Sequence, residues 1–321
     1  MPSPRSLLQP AHRVLTRHPG ALIAAARATD ALGTHTVSDH LFRVGGGRDA
    51  VVVRLPAGRT DLRSRRIAMW SHGDRDLIAR ALRGGFGAFE PPMPAVYVTE
   101  VRAGTGAVYD VGANTGLYAL LAAAVGSPAV EAFEPYPPVL ELLHRNLALN
   151  HGVGRVHVHA EAVGSEEGSA TLYVPPPAPN DPVETSASLS PTFKESVAQE
   201  VVVPVTTLDA HWSASGRAPV NVVKVDVESR EADVLDGARE MLAGARPLVF
   251  FELLPAGEPE RITALARELD YVDGYLSPTE IVLGGVIEHH PDAWNHVLVP
   301  VERVGAFAGR ARDIGLVVTL L

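Results

Sequence analysis

The chain has 321 residues, of which 46% are hydrophobic and 20% charged, and it carries a net charge of −9 with a pI near 5.8. Such a composition is typical of a globular protein, and the acidic balance argues against a nucleic-acid partner, whose phosphate backbone requires clustered Lys and Arg. The absence of cysteine excludes disulfides, thiolate metal sites and cysteine nucleophiles, and it makes the cytoplasm the expected compartment.

Residues 1–100 are predicted to form an N-terminal cap region, and residues 101–321 the main domain. Near the start, arginines precede an apolar run at residues 21–26, as in a signal peptide, but the run is short and Arg27 interrupts it. We therefore predict an amphipathic helix ending near Gly33 and no membrane-spanning segment. Residues 51–107 are punctuated by Gly and Pro and are predicted to be irregular, with short strands and helices.

From Ala107 onwards the pattern alternates buried strands with helices, which indicates a doubly wound parallel sheet. The strands are predicted at residues 107–111, 129–133, 156–160, 220–227 and 247–252, and the helices at 117–125, 139–150, 231–243 and 260–269.

Between the third and fourth predicted strands lies a proline-rich segment, residues 175–182, which is incompatible with a helix or a central strand. A serine-rich stretch at residues 185–190 follows it. The sequence leaves two interpretations open, a lid over the site and a plain solvated linker.

The first predicted strand runs into a turn that contains Gly112 and Gly116, and an Ala- and Leu-rich helix follows. Gly112 permits a tight turn with no Cβ in the way, and free N–H groups at the helix start can receive an anion or a carboxylate. The full G-x-G-x-x-G spacing of dinucleotide-binding turns is missing. This favours S-adenosylmethionine over a nicotinamide dinucleotide.

Glu134 ends the next predicted strand, 22 residues after Gly112. A carboxylate at such a position can accept hydrogen bonds from both ribose hydroxyls of an adenosine cofactor. The alternative is that Glu134 only caps the following helix.

Charged residues alternate with valines in the fourth predicted strand, where Lys224, Asp226 and Glu228 are expected to share one face. Charges in a central strand are costly unless they pair or open into a cleft at its carboxyl end. Asp226 and Glu228 are therefore predicted to act beside the cofactor's reactive group or the acceptor, and Lys224 could stabilise a nascent oxyanion. A purely structural Lys224–Asp226 ion pair is the alternative.

Two further places in the sequence carry side chains that could take part in chemistry. Glu252 ends the fifth predicted strand at the same rim and could position an acceptor or simply cap the strand. His289 and His290 superficially resemble metal ligands, but adjacent side chains point apart and no third ligand is evident, so no metal site is predicted.

Several of these motifs together resemble the FkbM family of methyltransferases. They are residues 110–116 (Asp-Val-Gly-Ala-Asn-Thr-Gly), 133–135 (Phe-Glu-Pro), 146–150 (Asn-Leu-Ala-Leu-Asn), 224–228 (Lys-Val-Asp-Val-Glu) and 251–253 (Phe-Glu-Leu), with residues 295–300 similar to the family's last strand. The resemblance implies an α/β, Rossmann-like class I methyltransferase fold with a doubly wound, mostly parallel sheet. It also implies S-adenosylmethionine as cofactor and O-methylation of a sugar or secondary-metabolite hydroxyl.

The predicted cofactor contacts are Asp110, Gly112, Ala113, Asn114, Gly116, Glu134, Pro135, Ala162 and Asp226. The predicted catalytic residues are Asp226, Glu228 and Lys224, from their place at the end of the fourth predicted strand. One departure stands out, because Ser229 occupies the position after Asp-x-Glu where the family usually has glycine. We expect that side chain to alter the acceptor side.

Two other functions stay open: a nicotinamide-dependent oxidoreductase, which would normally have the third glycine, and a non-catalytic module that binds S-adenosylmethionine. The partner is predicted to be a small-molecule hydroxyl acceptor, with neither nucleic acid nor membrane involved, and a carboxylate could assist removal of the hydroxyl proton. The sequence does not indicate the oligomeric state.

Overall fold

The computed structural model describes residues 50–56, 66–73, 75–150, 153–177 and 183–321. The helix predicted near residues 21–33 lies outside the described residues. The first elements are an antiparallel hairpin of β1 (Ala50–Arg54) and β2 (Arg66–Trp70), followed by helices α1 (Leu77–Leu82) and α2 (Met93–Ala103).

A nine-stranded sheet forms the centre of the fold. Its strands are β3 (Ala107–Val111), β4 (Val130–Phe133), β5 (Val156–His159), β9 (Val220–Val225), β10 (Leu248–Glu252), β11 (Tyr271–Leu276), β12 (Glu280–Leu283), β13 (Asn295–Pro300) and β14 (Val317–Leu320). They lie in the order β14-β12-β11-β13-β10-β9-β3-β4-β5. The five strands from β5 to β10 are parallel, and β13 runs antiparallel between β10 and β11. The predicted α/β fold with a doubly wound, mostly parallel sheet is confirmed.

Helices cover both faces of this sheet, as a doubly wound fold requires. They are α3 (Leu117–Val125), α4 (Pro137–Leu149), α5 (Leu208–Ala214), α6 (Glu231–Asp236), α7 (Arg239–Ala245), α8 (Pro259–Glu268) and α9 (Val304–Asp313), with a short 3-10 helix at Val301–Arg303. One hydrophobic core joins the sheet to α2, α3 and α9, and a second joins the opposite face to α5, α6, α7 and α8.

Helix α3 has the bounds expected from the sequence because a glycine stands at each end. Gly116 and Gly126 both have a positive φ, 92° and 98°, a left-handed conformation that glycine adopts without steric cost. Eight of its nine residues are buried. The helix therefore fixes the turn between β3 and α3 rigidly against the sheet.

A small second sheet, which the sequence analysis did not predict, lies between β5 and β9 in the chain. It contains β6 (Ala162–Val163), β7 (Gly168–Val174) and β8 (Gln199–Thr206) in the order β6-β8-β7. Ser188 bridges to Tyr173 of β7, so residues 183–190 lie against this sheet.

Two predicted elements differ from the structure. The helix predicted at 231–243 is two helices that part at Gly237, where an added Cβ would lie 2.1 Å from the Gly164 carbonyl oxygen. The strand predicted to reach residue 227 ends at Val225. The following residues form a loop in which Glu228 and Ser229 have positive φ angles of 57° and 75°.

Helix α2 spans the predicted division at residue 100. Its Tyr97 ring lies 5.8 Å from that of Phe250 in the central sheet, and the Glu100 carbonyl accepts a hydrogen bond from Asn221 Nδ2. The division of the chain into a cap and a main domain stays a prediction. No helix within the described parts of the chain is long and apolar enough to cross a membrane.

Candidate active site

Two adjoining clefts open at the carboxyl ends of β3, β4, β9 and β10. The first, cleft A, lies between the ends of β3 and β4 and the small sheet, and its space, part of it open to solvent, is about 650 Å³. The second, cleft B, lies between the end of β9 and helices α1 and α3, and its space, also partly open to solvent, is about 960 Å³. The carboxyl edge of a parallel sheet is where ligands bind in doubly wound folds.

Gly112 lies where the two clefts meet, in the turn after β3. Its φ is 70°, and a Cβ added there would lie 1.8 Å from the Asp226 carbonyl oxygen. The position therefore requires glycine for two reasons, the backbone conformation and the close approach of the loop after β9.

Glu134 follows β4 and is 7% exposed. Its carboxylate accepts hydrogen bonds from the backbone N–H groups of Asn114, at 3.1 Å, and Tyr136, at 2.8 Å. Burial raises the pKa of Glu134 to about 7, although these two N–H groups oppose the shift. Each carboxylate oxygen keeps a further lone pair, so Glu134 can brace the turn after β3 and still face a ligand in cleft A.

Lys224 and Asp226 form an ion pair at the end of β9, with Lys224 Nζ 2.8 Å from Asp226 Oδ2. The Lys224 side chain is 5% exposed and that of Asp226 29% exposed. Although burial opposes it, the nearby carboxylates, foremost Asp226, raise the pKa of Lys224. The Lys224–Asp226 ion pair that the sequence offered as an alternative is therefore present. Its partner Asp226 lines both clefts.

Glu228 reaches the clefts by a different route from the one predicted. Because β9 ends at Val225, Glu228 does not share a strand face with Lys224 and Asp226; it lies on the loop that follows. Glu231 Oε1 accepts hydrogen bonds from the Val227 and Ser229 N–H groups and so holds this loop. Burial and the neighbouring Asp226 raise the pKa of Glu228.

Carboxylates outnumber cations in cleft B. Its walls carry Asp76, Glu90, Asp226, Glu228 and Glu252, against Arg75 and Lys224. Burial, and then the charge of Asp226, raise the pKa values of both Glu90 and Glu252. The Tyr118 hydroxyl donates a 2.7 Å hydrogen bond to Glu90 Oε2. The walls of cleft B therefore combine the Lys224–Asp226 ion pair with carboxyl groups that hold their protons to higher pH than usual.

Residues 183–190 lie over the junction of the clefts. The Asn114 side-chain amide donates a hydrogen bond to the Thr185 carbonyl, and Ser188 Oγ donates one to the Glu228 carbonyl. Thr185 contributes to the walls of both clefts. Of the two interpretations drawn from the sequence, a cover over the site fits these contacts; residues 178–182 lie outside the described part of the chain.

The structure brings most of the predicted site residues together. Cleft A is lined by Gly112, Asn114, Glu134, Pro135, Ala162, Asp226 and Glu228, and cleft B by Gly112, Ala113, Asn114, Lys224, Asp226, Glu228 and Glu252. Asp110 and Gly116 are in neither wall. Asp110 is fully buried in β3, in register with Lys224 of β9, and burial raises its pKa to about 6 against the opposing charge of Lys224.

Sequence reasoning missed the residues that the N-terminal part of the chain contributes. Arg75, Leu77, Phe89 and Glu90 line cleft B, and none belongs to a recognisable motif. Tyr118 was inside a correctly predicted helix, but its contact with Glu90 joins residues 28 positions apart in the chain. No signal in a single sequence indicates such a contact.

Comparison with known proteins agrees with this arrangement. Residues 110–272 match the model of the methyltransferase FkbM domain. The hexuronic acid methyltransferase AglP of Haloferax volcanii is 30% identical over 162 residues, which cover 50% of this chain and 61% of that protein. The methyltransferase sdnD of Sordaria araneosa is 29% identical over 197 residues, covering 60% of this chain and 64% of that protein.

The chain thus spans less than two thirds of the length of these relatives. Among solved structures, the crystal structure of an FkbM methyltransferase from Methylobacillus flagellatus KT is similar with a TM-score of 0.40 and 18% identity. That match covers 60% of this chain and 43% of the other.

Proposed function

The chain belongs to the FkbM methyltransferase family, and from that premise we propose that it transfers a methyl group from S-adenosylmethionine to a hydroxyl group of a small molecule, a sugar or a secondary metabolite. The observation that carries the proposal is the junction of the two clefts. Gly112, Asn114, Thr185, Asp226 and Glu228 belong to the walls of both. A cofactor in one cleft would therefore meet an acceptor in the other at these residues.

Cleft A fits an adenosine cofactor. Only glycine is compatible with the 1.8 Å approach at position 112, which leaves the backbone of the turn free to face a ligand. Glu134 offers carboxylate lone pairs for ribose hydroxyls, and Pro135 and Ala162 give apolar wall. Gly112, Asn114, Glu134, Pro135, Ala162 and Asp226 are the residues proposed to hold the cofactor.

Bound S-adenosylmethionine supplies an activated methyl group, and the protein's part is to position the acceptor and manage its proton. Methyl transfer is an in-line displacement, so orientation accounts for much of the acceleration. Asp226 already binds Lys224, whereas no hydrogen bond engages the Glu228 carboxylate within the described residues. Glu228, with its raised pKa, is therefore the better placed of the two to accept the hydroxyl proton. Lys224 holds Asp226 in place.

The charge of cleft B narrows the acceptor class. The Lys224–Asp226 ion pair offsets two of the charges in its walls, and the raised pKa values of Glu228 and Glu252, about 8 and about 9, keep these two carboxyl groups largely neutral at pH 7. An acceptor carboxylate would lose hydration in this partly buried site and would meet one cation outside the ion pair, Arg75, which costs free energy. We therefore propose a neutral polyol or an amine-bearing hydroxyl compound, even though the relative from Haloferax volcanii is named for a hexuronic acid.

Two alternatives have less support. A nicotinamide-dependent oxidoreductase would use a similar sheet, but the turn after β3 lacks the third glycine, and the family match points to methyl transfer. A non-catalytic binding module would keep cleft A but has no need for a second cleft with titratable groups at the junction. The cytoplasmic location inferred from the lack of cysteine stays a prediction.

Calorimetry and a turnover assay test the proposal. We expect S-adenosylhomocysteine to bind one site per chain and NAD⁺ to show no binding. Formation of S-adenosylhomocysteine from S-adenosylmethionine should then depend on an acceptor, in a panel that pairs neutral hexoses and aminosugars with hexuronic acids. Binding of NAD⁺ in preference to S-adenosylhomocysteine would contradict the cofactor assignment. Cofactor binding without turnover on any hydroxyl compound would favour the binding module.

A further inference from the structure

A cluster of imidazole and carboxylate groups adjoins cleft A, to whose wall it contributes Glu161. It consists of His159 at the end of β5, Glu161 two residues later and His211 in α5. One potential ligand atom from each lies within 4.8 Å of the others, and no other group of three His, Asp or Glu residues in the described ranges does so. The cluster does not form a recognisable sequence motif, since His211 is 50 residues from Glu161.

The spacing in the cluster is close to that of a metal site. His211 Nε2 lies 3.2 Å from Glu161 Oε2, and ligand atoms about 2.1 Å from a tetrahedral zinc ion are about 3.4 Å apart. No two ligand atoms are more than 4.8 Å apart. To reach the tetrahedral spacing, a pair of ligand atoms would therefore have to approach each other by at most about 1.4 Å. The side chains of His159, Glu161 and His211 are 25%, 37% and 23% exposed, which leaves room for small torsional changes and for a water ligand.

A carboxylate behind the cluster orients one of the imidazoles. Glu131 Oε2 lies 2.7 Å from His159 Nε2. At this distance the Glu131 carboxylate accepts the proton on His159 Nε2. His159 Nδ1 then carries the free lone pair. A histidine that donates its other ring proton to a carboxylate is the usual arrangement around protein-bound metals.

The two rings are also fixed by packing. The Phe133 ring stacks on His159 at 4.7 Å and meets His211 edge-on at the same distance, and the centroids of the two imidazoles lie 4.6 Å apart. These contacts limit the rotations of both rings and so lower the entropy lost when a ligand joins them.

We propose that His159, Glu161 and His211 form a binding site for one divalent transition-metal ion of the zinc type. Two imidazoles and one carboxylate suit zinc, cobalt, nickel or copper, whereas magnesium and calcium prefer oxygen ligands alone. Such an ion would join the end of β5, the loop after it and α5, and would fix Glu161, which lines cleft A. The site does not depend on methyl transfer.

Metal titration of the tag-free chain, after dialysis against a chelator, tests the site. We expect one Zn²⁺ or Co²⁺ per chain, and a visible Co²⁺ absorption band from nitrogen and oxygen ligands. His159→Ala and His211→Ala should each weaken binding by at least about tenfold and remove the Co²⁺ band, and Glu131→Gln should weaken binding by about tenfold through the orientation of His159. His211→Asn serves as a second variant in case His211→Ala unfolds.

His289→Ala is the matched control, because it removes an imidazole that contacts only the Leu253 carbonyl among its recorded hydrogen-bond partners. Its metal affinity and stoichiometry should equal those of the unaltered chain. Absence of stoichiometric binding, equal binding by His159→Ala and the unaltered chain, or loss of binding in His289→Ala would each overturn the proposal. The cluster would then be two hydrogen-bonded pairs, His159 with Glu131 and His211 with Glu161.

Discussion

Gly112 and the Asp226 carbonyl group lie so close that no side chain fits between them. A Cβ at position 112 would lie 1.8 Å from that oxygen, while the Asp226 N–H donates to the Val111 carbonyl at 3.0 Å. The turn after β3 and the loop after β9 are therefore locked together by backbone. A change at Gly112 would displace Asp226, and the two clefts would change together.

The first prediction is that Gly112→Ala and Gly112→Val abolish binding of S-adenosylhomocysteine. A residue with a Cβ is about 1–2 kcal/mol less stable in the left-handed conformation than in the right-handed one. The collision of that Cβ with the Asp226 carbonyl oxygen adds to this cost. Gly126→Ala is the control, because Gly126 also has a positive φ but nothing lies within 4 Å of an added Cβ. Calorimetry and thermal melting of both variants check this. Normal affinity in Gly112→Val would remove the main support for cofactor binding in cleft A.

The second prediction concerns Glu134. Glu134→Ala should weaken binding of the cofactor product by about 1–3 kcal/mol, because a ribose hydroxyl pair and two backbone N–H groups lose their acceptor. The contacts with Asn114 and Tyr136 add an expectation that the sequence did not contain, a lower melting temperature. Glu134→Gln keeps one carbonyl oxygen as an acceptor, so its affinity for the cofactor product and its melting temperature should fall less than those of Glu134→Ala. If the melting temperature falls while the dissociation constant stays unchanged, Glu134 is a brace for the turn only.

The third prediction is a pH dependence of cofactor binding. The raised pKa of Glu228 means that a proton must leave before its carboxylate can face the cationic sulfonium of S-adenosylmethionine. Affinity should therefore rise with pH through this raised pKa, by at most about tenfold per unit for one proton. Stability of the free chain should change in the opposite sense. A carboxyl group with a raised folded-state pKa favours the folded state at low pH, and that contribution is lost as pH rises.

Glu228→Gln should flatten both pH profiles, since the amide does not titrate. Glu166→Gln, on the exposed surface, should leave both as they are. Calorimetry and melting between pH 5.5 and pH 9 give the two profiles. A Glu228→Gln variant with an unchanged slope would place the titrating group elsewhere, with Glu252 the next candidate because its pKa is raised by burial and by the same Asp226 charge.

The fourth prediction is that Ser229→Gly stabilises the chain. Ser229 has a φ of 75° where the family usually has glycine, and its Oγ is buried without a hydrogen-bond partner in the described residues. Removing that strain should raise the free energy of unfolding by about 1 kcal/mol. The greater conformational entropy of glycine in the unfolded chain offsets part of this gain. Ser229→Ala removes only the hydroxyl and should gain less. Denaturant unfolding checks the order, and a destabilised Ser229→Gly would mean that the hydroxyl has an unseen partner.

The sequence predicts the parts of this protein that repeat a local pattern. The bounds of β3 and α3 agree with the prediction because a continuous apolar run and flanking glycines determine them locally. The end of β9 was predicted two residues too far because Val227 continues the alternation of valines, whereas hydrogen bonds to Glu231 turn the chain away. Only tertiary contacts carry that information.

The same limit applies to the site. Gly112, Glu134 and Asp226 could be found because each ends a strand in a parallel sheet, and such ends converge. Glu90 could not be found, since its place beside Tyr118 depends on how the segment before α2 packs on α3. The metal-type cluster was missed for a similar reason: the packing of β5 and α5 brings His159 and His211 together, and no short sequence spacing marks them.

The last prediction is that at least one of Asp226→Asn and Glu228→Gln loses methyl transfer while it keeps affinity for S-adenosylhomocysteine. Both substitutions keep the shape of the side chain and remove its basicity, and the neutral product has no sulfonium to attract. The two carboxylates differ in their surroundings: Asp226 is paired with Lys224 at 2.8 Å, so Asp226→Asn leaves a buried ammonium without its partner and should also lower the melting temperature. Glu228 has no such partner among the residues that the structure describes, so Glu228→Gln should lose turnover with little change in stability.

Turnover is measured on the acceptor that the panel identifies, as a function of pH. If Glu228 takes the hydroxyl proton, Glu228→Gln should lose the acidic limb of the pH profile, and Asp226→Asn should retain it. Normal turnover in both variants would make the pair structural. Catalysis would then depend on positioning alone, and Glu252 and Glu90, which also line cleft B, are the next residues able to position the acceptor.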